Sequence, residues 1–180
     1  MKIIARDVPP RTAWSLEQAG VHPLLARLFA ARGLRSAEEL DDNASKLLPP
    51  QTLRGTQEAA VLLADAIAQG QRICIVADYD CDGATACATG LRGLRMHGAR
   101  PDQLSYVVPD RALHGYGLTP PIVELVKAQQ ADVLVTVDNG MASHEAVTRA
   151  RALGMRVIIT DHHLPVVLDD GQVSLPDADV

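Results

Sequence analysis

Cationic residues are in short supply. Seventeen Lys and Arg stand against 22 Asp and Glu, a formal net charge of −5, which argues against a broad basic surface for duplex DNA. Lysine is the rarer cation, with three residues against fourteen arginines, and Lys127 is the only one beyond Lys46. No apolar run is long enough to span a bilayer, and the opening stretch Met1-Lys2-Ile3-Ile4-Ala5-Arg6-Asp7 lacks the apolar core of a signal peptide. The three cysteines, Cys74, Cys81 and Cys87, show neither metal-ribbon spacing nor an even disulfide framework. A reduced, cytoplasmic protein is the expectation. Repeats and low-complexity segments are also absent. What is present is 180 residues with 47 % hydrophobic content, enough to bury the core of one domain with a small appendage.

The charge is unevenly placed. Residues 1–72 carry a net +1 and residues 73–180 a net −6, and much of the acidic excess falls at the ends of apolar runs. Ile73-Cys74-Ile75-Val76-Ala77 leads into Asp78-Tyr79-Asp80-Cys81-Asp82-Gly83, three aspartates within five residues with no Lys or Arg among them. Such carboxylates repel one another, so either their pKa values rise or a cation neutralises them. The pattern repeats twice. Asp132 to Val137 runs into Asp138-Asn139-Gly140, and Arg156 to Thr160 runs into Asp161-His162-His163. Near-continuous apolar runs indicate strands buried on both faces, hence a parallel sheet with helices on both sides. Parallel strands bring the three carboxylate-bearing ends to one edge, where chemistry sits in open α/β sheets.

The rest of the chain fits this frame. The spacing predicts helices over 56–69, 84–97, 120–130 and 143–153, and a further short strand over 104–108. Thr119 and Ser143 are candidate N-caps. Residues 166–180 read as a loop that simply stops. Residues 1–55 read as a small helical segment, with Pro23 opening one helix and Ser36-Ala37-Glu38-Glu39 spaced as a capping box. A helix-turn-helix is the alternative there, weakened by scattered basic residues. The expected division is a helical segment over 1–55 and an α/β domain over 56–180. Between Pro109 and Leu118, two glycines surround Tyr116, with Arg111 and His114 upstream. The residues alone leave open whether this is a mobile ligand loop or a plain connection before a helix.

Carboxylate and imidazole ligands select Mn²⁺, Mg²⁺ or similar ions. Asp78, Asp80, Asp82, Asp138, Asp161 and His162 or His163 are more ligands than one ion needs. Two ions about 3.5–4 Å apart sharing a carboxylate form the phosphoryl-transfer arrangement, with Asp138, central in the series, as the candidate bridge. A lone strand-end aspartate is usually a cap, but three such ends with paired histidines are not easily explained that way. His22, His97 and His144 lack acidic neighbours and read as surface or helix-end residues. A receiver domain also gathers acids around Mg²⁺, but it needs a lysine at a later strand end, and Lys127 falls within a helix.

These motifs resemble the DHH phosphoesterase superfamily. Asp161-His162-His163, the Asp78 to Gly83 run and Val137-Asp138-Asn139-Gly140 carry the likeness. The leading Asp78, the Pro109-Asp110-Arg111 … Gly115-Tyr116-Gly117-Leu118 loop and His22-Pro23-Leu24-Leu25 point, within it, to the bacterial single-strand-specific exonucleases. The resemblance implies Asp78, Asp80, Asp82, Asp138 and His162 as metal ligands. It implies His163, Asp161 and Arg111 as catalytic residues, and Arg111, Tyr116 and His163 as substrate contacts; the loop reading adds His114. It implies two Mn²⁺ or Mg²⁺ ions and stepwise hydrolysis of single-stranded DNA from the 5′ end, in recombination and repair. A helicase and a single-strand-binding protein are the candidate protein partners, and no membrane is expected. Cys81 departs from the family, where a small residue such as alanine is usual. A fourth metal motif, a second α/β domain and an oligonucleotide-binding barrel lie downstream in the family. The 180 residues are therefore expected to be an N-terminal part, incomplete within its catalytic domain, and weak or inactive alone. The rival functions are a DHH phosphoesterase of short oligonucleotides or dinucleotides, and a catalytically silent DNA-binding member.

Overall fold

A computed structural model of the protein describes residues 4–180, so the first three residues of the opening stretch lie outside the described residues. The chain divides after Thr52 into two compact units. In the first, α1 (Pro10–Gln18) and α2 (Pro23–Ala31) each begin on a proline at the first helical position, where the missing N–H has no intrahelical partner to lose. They pack through small residues: Ala13 and Leu16 meet Ala26 and Ala30, with Val8, Val21 and Phe29 at the margins. Leu24, Leu25 and Leu28 on α2 stay exposed. Helix α1 has no counterpart in the sequence reading. A single turn over Ala37–Leu40 follows Ser36, whose backbone N–H donates to the Glu39 carboxylate at 3.2 Å.

The second unit, Leu53–Val180, is built on a four-stranded parallel sheet in the order β2-β1-β3-β4. Its strands are β1 (Ile73–Ala77), β2 (Leu104–Val107), β3 (Val133–Val137) and β4 (Arg156–Thr160). Every residue of β1 and β3 is buried, as the near-continuous apolar runs require. Alternate side chains feed opposite layers. Cys74, Val76, Leu134 and Val157 pack under α6 (Pro120–Ala128) and α7 (His144–Ala152), against Ile122, Val126, Val147 and Ala150. Ile73, Ile75, Val135 and Ile158 join the other layer, with α3 (Thr56–Ala68) and α4 (Cys81–Met96) supplying Ala66, Cys87 and Leu91. Ala77, Val137 and Thr160 stand in register at one edge. Asp78, Asp138 and Asp161 therefore leave three neighbouring strands side by side.

Four local readings need correction. Helix α4 starts at Cys81, not Ala84, because the Asp80 carboxylate accepts the Gly83 N–H at 3.1 Å and caps it. Asp82 and Gly83 are thus in its first turn. The loop before α6 contains a short helix, α5 (Arg111–His114), capped by Asp110 through the Ala112 N–H. Thr119 and Ser143 precede α6 and α7 but make no capping bond with their side chains. Residues 166–180 are also more than a loop. β5 (Val166–Val167) and β6 (Val173–Ser174) form an antiparallel pair. The last residues then lie along β4, with Asp179 N–H donating to the Val157 carbonyl and Ile159 N–H to the Val180 carbonyl, both at 2.9 Å.

Candidate metal centre

The first cluster forms at the end of β1. Asp78 is only 2 % exposed, and its carboxylate accepts the Tyr79 N–H at 2.9 Å. Burial, followed by the neighbouring Asp80 charge, pushes its carboxyl above the ordinary range. Asp80 moves the other way, because the Gly83 N–H stabilises its carboxylate. The chain brings the two acids this close by running the first turn of α4 over the strand end. A Cβ on Gly83 would lie 2.5 Å from the Asp78 carbonyl oxygen, so only glycine fits there.

The second cluster leaves β3 and β4. Asp138 adopts a left-handed backbone, φ 62°, a conformation that aspartate and asparagine tolerate better than other side chains. Asn139 is fully buried and clamps the strand ends: its Nδ2 donates to the carbonyls of Val137 at 2.8 Å and Val76 at 3.1 Å. His162 Nε2 lies 2.8 Å from Asp138 Oδ1 and 4.0 Å from Asp82 Oδ2. His163 Nδ1 lies 2.7 Å from Asp161 Oδ1. Asp161 also accepts backbone N–H groups from His162, His163 and Met141, at 2.8, 3.1 and 2.9 Å. Burial acts to raise its carboxyl, but these hydrogen bonds outweigh it and hold the group below its ordinary range. The bond to Asp161 in turn holds His163 above the usual imidazole range.

Tyr116 closes the group. Its hydroxyl donates to the Asp138 carbonyl at 3.3 Å and meets His163 Nε2 at 3.3 Å. Burial, then the Asp78, Asp161, Asp138 and Asp80 charges, push this phenol up to about 12. It stays a neutral O–H donor at physiological pH. A cleft of about 490 Å³ opens beside it, lined by Met141, Ser143, His163 and Leu164 among others.

Oxygen atoms of Asp78, Asp80 and Asp138 lie within 4.8 Å of one another, as do ligand atoms of Asp138, His162 and His163. Asp138 belongs to both sets, and no described Lys or Arg forms an ion pair with any of these carboxylates. Unneutralised carboxylates and imidazoles converging in this way suit one or two hard or borderline divalent ions. The structure thus gathers Asp78, Asp80, Asp138, His162 and His163. It leaves Asp82 exposed in the first turn of α4 and sets Asp161 behind His163. Arg111 places its Cζ 4.1 Å above the Tyr79 ring and 5.7 Å from that of Tyr116. His114 turns away from this group in its hydrogen bonding: its Nδ1 accepts the Asp110 N–H at 3.2 Å. Sequence reasoning missed the Asn139 clamp, the Met141 amide and the Tyr79 contact. The Asn-Gly pair after Asp138 signalled a turn but not a clamp, and a backbone amide has no sequence signal.

The family model for the DHH family, N-terminal domain, matches residues 72–178. The chain is 48 % identical over 147 residues to the single-stranded-DNA-specific exonuclease RecJ of Salmonella typhimurium, covering 82 % of this chain and 25 % of that one. It is 46 % identical to the Escherichia coli RecJ over 147 residues, covering 82 % and 25 %. Among solved structures it is similar to RecJ in complex with Mn²⁺ from Thermus thermophilus, with TM-score 0.60 and 33 % identity, over 95 % of this chain and 23 % of that one. The chain spans about a quarter of the length of the curated relatives it matches.

Proposed function

The chain belongs to the DHH family, and from that premise we propose that it carries the metal-holding strand ends of a RecJ-type single-stranded-DNA-specific exonuclease, and that the reaction is hydrolysis stepwise from the 5′ end. The observation that carries this reading is Asp138, shared by two ligand sets at the edge of three adjacent parallel strands. The Mn²⁺ in the Thermus relative supports the choice of ion. In the proposal Asp78, Asp80, Asp82, Asp138 and His162 hold two Mn²⁺ or Mg²⁺ ions. The chemistry such ions supply when bound is neutralisation of phosphoryl charge and acidification of water.

The remaining roles belong to the chain's own groups. His163, whose bond to Asp161 favours the protonated imidazole, donates a hydrogen bond from Nε2 to a phosphoryl oxygen and stabilises the charge that builds there. Asp161 acts through His163 and is a positioning residue. Tyr116 keeps its proton and supports the Asp138 backbone. Arg111 meets the phosphate chain of the strand, and His114 serves the same loop by holding the Asp110 turn. Because the chain spans about a quarter of the length of the relatives it matches, the full activity is part of the proposal, with these residues alone hydrolysing weakly. A helicase and a single-strand-binding protein, as suppliers of single strands, complete the proposal, in the cytoplasm. No described helix is long and apolar enough to cross a membrane.

The test is Mn²⁺-dependent nucleotide release from 5′-labelled single-stranded DNA, by this chain and by the full-length protein. Release by the full-length protein, lost in Asp138→Ala with the circular dichroism unchanged, is the expected result. Turnover of dinucleotides with none of long single strands would transfer the assignment to a different DHH substrate.

A further inference from the structure

Tyr79 sits between two aspartates of the cluster and has no part in the reaction as assigned above. One face of its ring is covered by Arg111, whose Cζ is 4.1 Å from the ring centroid. The arginine opens α5, a turn fastened at both ends: Asp110 caps it through the Ala112 N–H at 2.9 Å, and its own N–H donates to His114 Nδ1 at 3.2 Å. A guanidinium whose charge reaches the Asp78 carboxylate would ordinarily settle into a bidentate pair. Here it makes no ion pair among the described residues. It lies on an aromatic face, which attracts the cation while leaving its N–H edge uncommitted. The ring belongs to the β1 loop and the guanidinium to α5, so the contact ties the loop that carries Asp78 and Asp80 to the one that carries Tyr116.

We propose that Tyr79 is a positioning residue that holds Arg111 with its N–H groups free for a phosphodiester of the bound strand. The ring fixes the cation and the cation binds the phosphate. This rests on the phosphodiesterase reading, since the ligand is a phosphate of the substrate. The side chain at position 79 therefore sets affinity for the strand and leaves the metal cluster alone.

The experiment uses the full-length protein on a 5′-phosphorylated (dT)₁₂ strand with Mn²⁺, together with Mn²⁺ titration by electron paramagnetic resonance. Tyr79→Phe, which keeps the face, should stay within about twofold of the parent. Tyr79→Leu should raise KM by about three- to tenfold, the range of a partly exposed cation–aromatic contact, with kcat and Mn²⁺ affinity unchanged. Arg111→Ala should raise KM at least as far, and the double variant no further than Arg111→Ala alone. Independent, multiplying effects of the two substitutions would overturn the inference, as would a Tyr79→Leu variant with lost Mn²⁺ affinity or an unchanged KM. A parent that releases nothing from single strands would overturn the phosphodiesterase reading first, and this inference with it.

Discussion

Replacing Gly83 by alanine tests how the first cluster is assembled. At an ordinary position inside a helix this change stabilises by about 1 kcal/mol. Gly93, in the same helix α4, is such a position, with nothing within 4 Å of an added Cβ. At Gly83 the new methyl would lie 2.5 Å from the Asp78 carbonyl oxygen, 2.7 Å from its carbonyl carbon and 2.8 Å from its Cα. Relief to an ordinary contact of 3.4 Å needs about 0.9 Å of backbone movement. Both partners are main chain, so no rotamer change absorbs it. Overpacking of this kind costs up to about 3 kcal/mol, which outweighs the helical gain and leaves a net loss of about 2 kcal/mol. The midpoint of thermal unfolding should fall by about 4–8 °C for Gly83→Ala and rise by about 2–4 °C for Gly93→Ala. The same shift displaces Asp78 against Asp80. Mn²⁺ affinity, read by titration of the free-ion resonance signal, should weaken by about 10–100-fold in Gly83→Ala and stay unchanged in Gly93→Ala. Equal rises in midpoint for the two variants, with equal Mn²⁺ affinity, would refute the close approach of α4 to β1.

Asn139→Ala removes both donors to buried carbonyls and should destabilise the chain by about 2–5 kcal/mol in a urea titration, with the spectrum of the folded state retained. Asp78→Asn should raise the unfolding midpoint in EDTA at pH 7 and reduce the gain from added Mn²⁺. Because burial raises the folded-state pKa of Asp78 above the ordinary carboxylate value of 3.8, its favourable contribution is complete below that value and is lost as pH rises through the folded pKa. The difference between variant and parent should therefore shrink as pH is lowered towards 4; a constant difference would remove the ionisation argument. At pH 8, iodoacetamide should label Cys81, which is exposed, and spare Cys74, whose thiol burial pushes up to about 11. Intact-mass spectrometry then shows one adduct on the native chain, since Cys87 is buried as well, and a second adduct mapped to Cys74 would contradict the burial of β1.

The sheet was legible because its signal is collective. Ile73 to Ala77, Val133 to Val137 and Arg156 to Thr160 are apolar enough to mark buried parallel strands without reference to partners, and parallel strands necessarily align their carboxyl ends. The boundaries were less legible. The start of α4 depends on one hydrogen bond from the Gly83 amide to Asp80, and the same residues would serve a loop. Helix α5 was hidden because Arg111 to His114 is a single turn stabilised by Asp110 and His114. The course of residues 178–180 along β4 is set by an open sheet edge, which local sequence does not encode. The same limit explains the site. The acids and histidines were legible by type and spacing, but Asp161 behind His163 and Arg111 on Tyr79 depend on side-chain direction.

The devices that escaped sequence reading share one physical task. A group of buried and half-buried carboxylates repels itself, and the fold must hold it together in the interval before any cation arrives. Ion pairs from Lys or Arg would do so but would compete with the metal. The chain uses neutral or backbone partners instead: the Gly83 amide on Asp80, the Met141 amide on Asp161 and the Asn139 amide across β1 and β3. Each of these fixes a position without neutralising the cluster, so the charge remains available to a divalent ion. Arg111 is held on tyrosine faces, which follows the same rule from the cationic side. Adding a charge beside one of these neutral partners, as in Met141→Lys, which keeps the amide, should therefore alter Mn²⁺ affinity far more than Asn139→Ala does, even though Asn139→Ala is the more destabilising change. Titrations that ranked the variants in order of stability loss would show that rigidity, not uncompensated charge, governs the ion.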